Sequence, residues 1–198
     1  MSWGWLVCAG FGLLVVSASV VAARRDGISD AEVRTFEAIN GLPDWLYGFL
    51  WLPMQLGNLV VGTAVGLVVA DTARSVVTAI GVVLAAVLKL VAEKIVRREM
   101  AGHLAARQRP GTSQPHAVLR GDVPKSGASF PSGHVILVTA ISCVVAPHLL
   151  VAWWWVAFGL VGVVMIGRVY VGAHNPLDVV AGLGSGLLLG GQVAALAR

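Results

Sequence analysis

The chain has little charge. Of its 198 residues only 12% are Asp, Glu, Lys or Arg, whereas 57% are hydrophobic, and mean hydropathy is +0.83. A soluble domain carries about a quarter of its residues as charges, so water is not the main solvent of this one. Cysteine is scarce too. Cys8 and Cys143 fall inside apolar runs, away from other ligand types, which argues against a disulfide framework and a zinc site alike. The net charge of +4 raises the question of nucleic acid. The basic residues follow no aromatic-interleaved or helix-turn-helix pattern, so an anionic lipid or substrate is the expected partner and nucleic acid is not.

What the sequence has is long apolar runs. Crossing a membrane takes about 20 apolar residues in a helix. Runs of that kind cover Trp3–Val21, Trp45–Ala70, Ser75–Val96, Val135–Ala146, Leu150–Val169 and Leu177–Leu196, the fourth being completed by Ser132–His134. The expectation is an all-α, polytopic membrane helix bundle of about six spans in one domain, residues 1–198, with both termini on one side. The first run lacks a basic leader and a small-residue cleavage site, so it is expected to stay as an anchor.

Polar residues are unevenly distributed. Ala22–Asp44 is polar, and Val33, Phe36 and Ile39 within it have the spacing of a short interfacial helix. Arg97–Phe130 is the longest polar stretch and is expected to form an active-site loop (97–130). Val169–Pro176 joins the last two spans. These three connections alternate with the tight turns Asp71–Arg74 and Ala146–His148, so nearly all chemically capable side chains collect on one face. In the last span Gly182, Gly186 and Gly190 line one side of a helix, the pattern of a close helix–helix contact.

Two constellations on that face can carry chemistry. Pro131-Ser132-Gly133-His134 stands at the start of the fourth span. Pro and Ser favour helix starts, whose free N–H groups and dipole bind anions; Gly133 permits close approach, and His134 can give or take a proton. The alternative is an ordinary helix start with an interfacial histidine. The second constellation is Arg168, His174 and Asp178, with Asn175-Pro176 as a helix start between the last two. A carboxylate in the first turn can reach back to one imidazole nitrogen and leave the other as a nucleophile. Arg168 can grip phosphate oxygens through a bidentate fork. Taken singly, Arg168 could snorkel and Asp178 could cap a helix, but that does not explain their convergence with His134. Lys89, Lys94, Arg97, Arg98 and Arg109 form a third, basic group, either a phosphate clamp or ordinary boundary charges.

These motifs resemble those of the type 2 phosphatidic acid phosphatase superfamily, which also includes vanadium haloperoxidases. The layout is similar to that of the small bacterial membrane lipid-phosphatase branch. The family pattern is Lys, six residues, Arg-Pro; then Pro-Ser-Gly-His; then Ser-Arg, five residues, His, three residues, Asp. The second part matches at Pro131–His134, and the third at Arg168, His174 and Asp178, with Gly167 in place of the leading Ser. The first ends at Arg109-Pro110, but Gly102 occupies the lysine position. Either Lys94 supplies that charge across an insertion, or Arg97 or Arg98 does.

The resemblance implies His174 as nucleophile, Asp178 as its orienting partner and His134 as acid and base. Arg168, Ser132, Gly133, Arg109 and Lys94 would bind phosphate, with no metal and no cofactor. The implied substrate is a lipid phosphate: phosphatidic acid, phosphatidylglycerol phosphate, polyprenyl pyrophosphate or a phosphorylated glycolipid. A phosphotransferase would use the same site. A haloperoxidase fits poorly, since such relatives are typically soluble. A scaffold or transporter would spread its polar residues along the spans. The family's usual orientation puts the motif face outside the cytoplasm. Arg24, Arg25 and Arg34 in a short loop, set against only Arg74 and Arg198 opposite, argue the reverse.

Overall fold

A backbone in lipid must pair its own N–H and C=O groups, so the apolar runs become helices. The computed structural model describes residues 3–103 and 107–196; residues 104–106 of the expected active-site loop, and Arg198, lie outside the described residues. In chain order the helices are α1 (Trp3–Asp26), α2 (Asp30–Asn40), α3 (Leu46–Met54), α4 (Leu59–Thr72), α5 (Val76–Glu99), the single turn α6 (Pro110–Ser113), α7 (Gly133–Val145), α8 (Val151–Tyr170) and α9 (Pro176–Leu196).

Six uniform spans are not what forms. α1, α5, α8 and α9 are long and apolar enough to cross a membrane. The run Trp45–Ala70 instead breaks into α3 and α4, which meet at 76° across a 3-10 turn at Gln55–Gly57. Pro53 ends the first half. Asn58, in extended conformation, starts the second by accepting the N–H groups of Val60 and Val61. α7 is about 20 Å long, short of the roughly 30 Å of hydrocarbon a span must cross. It can be short because every residue from Val135 to Val145 is buried, so it is the central post rather than a lipid-facing span.

α7 is wrapped by α4, α5, α8 and α9. The glycine stripe of α9 makes that possible. A Cβ on Gly182, Gly186 or Gly190 would strike Ser132, Thr139 or Cys143 of the α7 strand of chain at under 3 Å. Gly184 and Gly191, on another side of α9, meet the α1 backbone just as closely. Small residues are the means by which helices associate in lipid, and here one helix docks two neighbours with them.

Packing also sorts the ends of the bundle. Ala23, Met100, Phe130 and Ala181 share one cluster, bringing together the C-termini of α1 and α5, the long loop and the start of α9. Trp5, Cys143, Ala146 and Ala194 share another at the opposite end. The expected alternation of connections is therefore present. α2 is the expected short helix, held at its start by Ser29 and Glu32 in a reciprocal capping box, with Phe36 and Asn40 buried beneath it.

Candidate active site

The two motif segments are tied by their backbones before any side chain is considered. The Ser132 N–H donates to the Asp178 carbonyl at 2.9 Å, and Gly182 lets α9 lie against the Ser132 carbonyl. Ser132 starts α7 without using its hydroxyl as a cap; Ser132 Oγ is buried and has no hydrogen-bond partner. Arg168 Nε and His174 Nδ1 are likewise buried and unpaired. Buried polar atoms are rarely left unsatisfied, and those of Ser132, at a helix start, and Arg168 suit an anionic ligand, whereas His174 Nδ1 faces Asp178.

His174 lies in the short link between α8 and α9. Burial disfavours its charged form and holds its pKa below the usual imidazole value, although Asp178 pulls the other way. It is therefore neutral near pH 7, as a nucleophile must be. Asp178 Oδ2 stands 3.8 Å from His174 Nδ1, an orienting charge rather than a direct hydrogen bond. That oxygen is already engaged, accepting the Asn175 N–H at 2.8 Å. Nor does the Asn175 side chain cap α9, as its place before Pro176 suggests. It instead binds the long loop, accepting from Gln114 and donating to the Gln108 carbonyl.

The residue the sequence left unnoticed is Arg107. It is fully buried and bridges two carboxylates, reaching Asp178 Oδ1 at 2.8 Å and Glu32 at 2.8 and 3.0 Å. It also donates to the Gly27 carbonyl and faces the Phe130 ring. Burial opposes its charge, but the two carboxylates outweigh this and raise its pKa. Glu32 also accepts the Leu177 N–H, so α2, the loop and the start of α9 meet on one guanidinium. Its one advance signal is its position two residues before Arg109 in Arg-Gln-Arg-Pro.

The basic group divides. Arg109 donates to the Ala173 carbonyl at 2.9 Å, which places it against His174; burial and the nearby Arg97 lower its pKa. Lys94 is exposed on α5 and outside the cluster, contrary to expectation. Lys89 lies against the start of α7 instead. Its Nζ pairs with Glu93 at 2.8 Å, and a Cβ on Gly133 would meet both side chains at 3.0 Å or less. Arg97 pairs with the other Glu93 oxygen at 2.8 Å and keeps a buried, unpaired Nε. Residues 89, 93 and 97 repeat every four and share a helix face, whereas residue 94 is turned about 100° from residue 93. Arg98 is exposed as well.

His134 is set from the other side by the break between α3 and α4. A Cβ on Gly57 would sit 2.6 Å from His134 Cβ, so only glycine allows this approach. Gly167 stands where the family pattern has Ser, and a Cβ there would meet Met54 of α3 at 2.7 Å. The departure follows from α3 packing onto α8.

Comparison with known proteins bears on the family and the fold. A family model described as PAP2 superfamily matches residues 73–197. No curated relative matches. Among solved structures, the first transmembrane PAP2 type phosphatidylglycerolphosphate phosphatase from Bacillus subtilis superposes with a TM-score of 0.66 at 22% identity, covering 93% of both chains. Aquifex aeolicus LpxE superposes with a TM-score of 0.62 at 20% identity, covering 83% of this chain and 94% of its own.

Proposed function

The chain belongs to the PAP2 superfamily, and from that premise we propose that it is a membrane phosphatase removing a terminal phosphate from a lipid through a phosphohistidine at His174. The observation that carries the reading is the pair of buried, unpaired polar atoms on Ser132 and Arg168, with two histidines and a buried carboxylate around them.

In the proposed reaction the neutral His174 attacks phosphorus in line. Asp178, itself fixed by Arg107 and the Asn175 N–H, favours the positive charge the imidazole gains on bonding to phosphorus. Arg168, Arg109, Lys89, Arg97, the Ser132 hydroxyl and the free N–H groups at the start of α7 bind the equatorial oxygens and stabilise their charge. His134 gives its proton to the leaving alkoxide, since a bound phosphate dianion favours the imidazolium form. In the second half His134 takes a proton from water as the water displaces His174 and releases inorganic phosphate. The positive charge is supplied by side chains, so hydrolysis is expected to survive EDTA.

The test is release of inorganic phosphate from lipid phosphates by detergent-solubilised protein. His174→Ala should abolish it, and a radiolabelled substrate quenched in alkali should leave a phosphohistidine on the wild type alone. A variant that keeps near-normal turnover, or an EDTA-sensitive wild type, overturns the mechanism. Lys89→Ala is expected to lose about a hundredfold in kcat/KM, as loss of an oxyanion-stabilising group does, and Lys94→Ala to match the wild type.

A further inference from the structure

A cavity of about 440 Å³ lies beside His134 and Arg168. It is walled chiefly by polar groups, among them Tyr47, Gln55, Asn58, Arg120 and Asp122. His174 is not part of its lining. In-line transfer places nucleophile and leaving oxygen on opposite sides of phosphorus. A cavity reached from His134 and not from His174 is therefore where the leaving alcohol goes.

Its walls discriminate among alcohols. The Tyr47 hydroxyl and the Asp122 carboxylate have no partner among the described residues. Asn58 commits its Oδ1 to the start of α4, which leaves its amide N–H groups, and Gln55 donates to the Trp51 carbonyl, which leaves its amide oxygen. The cavity thus presents both donors and acceptors. Cationic capacity is lacking. Among the described residues, the one guanidinium or ammonium group in the lining besides Arg168 is that of Arg120, and its five N–H groups are committed. Nε goes to Asp44; Nη1 to the Asn40 and Tyr170 carbonyls; and Nη2 to the Leu42 carbonyl and Asp44, all within 3.1 Å. Its guanidinium also stacks 4.1 Å from the centre of the Tyr170 ring. A second phosphate in this space would meet the Asp122 carboxylate with no free guanidinium N–H from Arg120 to receive it. A hydrocarbon alcohol would leave these polar groups without partners, and diacylglycerol, with ester carbonyls but no hydroxyl beyond the reacting one, would leave the Asp122 carboxylate and the Gln55 amide oxygen without donors, at a cost in transition-state binding.

We propose that the leaving group is an uncharged, hydroxyl-bearing headgroup: the substrate is a lipid whose phosphate monoester sits on a sugar or similar polyol, rather than a lipid pyrophosphate or phosphatidic acid. This rests on the phosphatase reading above.

The experiment compares kcat/KM of the purified protein in one detergent on three lipids: a glycolipid phosphorylated on its sugar ring, phosphatidic acid and a polyprenyl pyrophosphate. The glycolipid is expected to exceed each of the others by about tenfold or more, the discrimination of one or two hydrogen bonds. Asp122→Ala, on an exposed residue, and Gln55→Leu should each reduce the glycolipid-to-phosphatidic-acid ratio by several-fold. Tyr47→Phe, which keeps the ring against Gly121, serves where Gln55→Leu fails to fold. Equal or faster turnover of phosphatidic acid or the pyrophosphate overturns the proposal and leaves the phosphatase reading standing, as does a ratio that no variant moves. Release from none of the three lipids overturns both.

Discussion

Arg107 shows how much of this site depends on groups that never touch a substrate. Its guanidinium is fully buried between Glu32 and Asp178, with side-chain exposures of 0%, 12% and 0% respectively. A pair this deep contributes little net stability while it is whole, because desolvation offsets the attraction. Removing one partner is different: it strands a buried charge, typically at a cost of about 3–5 kcal/mol. Arg107→Ala strands Asp178 beside His174 and cuts the link from Glu32 to Asp178, although Glu32 keeps the Leu177 N–H. The expected outcome is a marked fall in thermal stability in detergent together with loss of phosphate release. Arg107→Lys keeps a charge but not the fork that spans two carboxylates, so it should recover stability more than activity. A stable, fully active Arg107→Ala protein would show that Asp178 needs no such anchor. At this scale legibility followed sequence distance. Pro131–His134 and Arg168, His174 and Asp178 are short local patterns whose spacing carries their chemistry. The partnership of Arg107 with Glu32 spans 75 residues, and nothing local announces it. Lys89 was undecided for another reason: one helix face had to be chosen among four cations of α5, and only the packing of α5 against Gly133 makes the choice.

Among the elements, the break between α3 and α4 has the largest consequence for the site. The 26-residue run from Trp45 to Ala70 carries no charge and is mostly apolar, and hydropathy cannot distinguish one long span from two helices at 76°. Pro53, Gly57 and Asn58 were the available signals, a helix breaker followed by a close-approach residue and a cap. They go unnoticed when composition alone is weighed. The result is that Gly57 backs His134, while α3 supplies Tyr47 and Trp51 to the neighbouring cavity. Gly57→Ala forces His134 or the 3-10 turn to move. Displacing a catalytic group by about 1 Å can cost about a hundredfold, and kcat is expected to fall by that order in a protein that still elutes as a folded species. Gly48→Ala, where nothing lies within 4 Å of the added carbon, is the control and should leave turnover unchanged. The glycines of α9 were more legible, since a four-residue repeat in an apolar helix has one dominant use. The sequence did not disclose that α9 has a second small-residue face for α1.

For the whole molecule the open question is which side of the membrane the motif face occupies. The chain carries Arg and Lys mainly on that face, which by the positive-inside rule points to the cytoplasm. The fold changes the weight of that count. Arg107 is neutralised within the bundle by two carboxylates, Arg120 is spent on Asp44 and backbone carbonyls, and Arg24 is paired with Glu99. Lys89, Arg97, Arg109 and Arg168 belong to the proposed phosphate clamp. Charges held by structure or by substrate were placed for those reasons, so they report poorly on insertion. Arg25, Arg34, Lys94, Arg98 and Lys125 remain as exposed charges on the motif face, against Arg74 opposite. We set the orientation usual for this fold above that bias, and we therefore expect the motif face to be extracytoplasmic. Single cysteines at Ser126 and Ala73, in a Cys8→Ser, Cys143→Ser background, test this directly. Both positions are exposed, Ser126 in the long loop and Ala73 in the turn between α4 and α5 at the other end of the bundle. An impermeant thiol reagent on intact cells should label position 126 and spare position 73, with both labelled after the membrane is opened. The reverse pattern would turn the site towards the cytoplasm, where it would meet lipid phosphates on the leaflet that faces their synthesis.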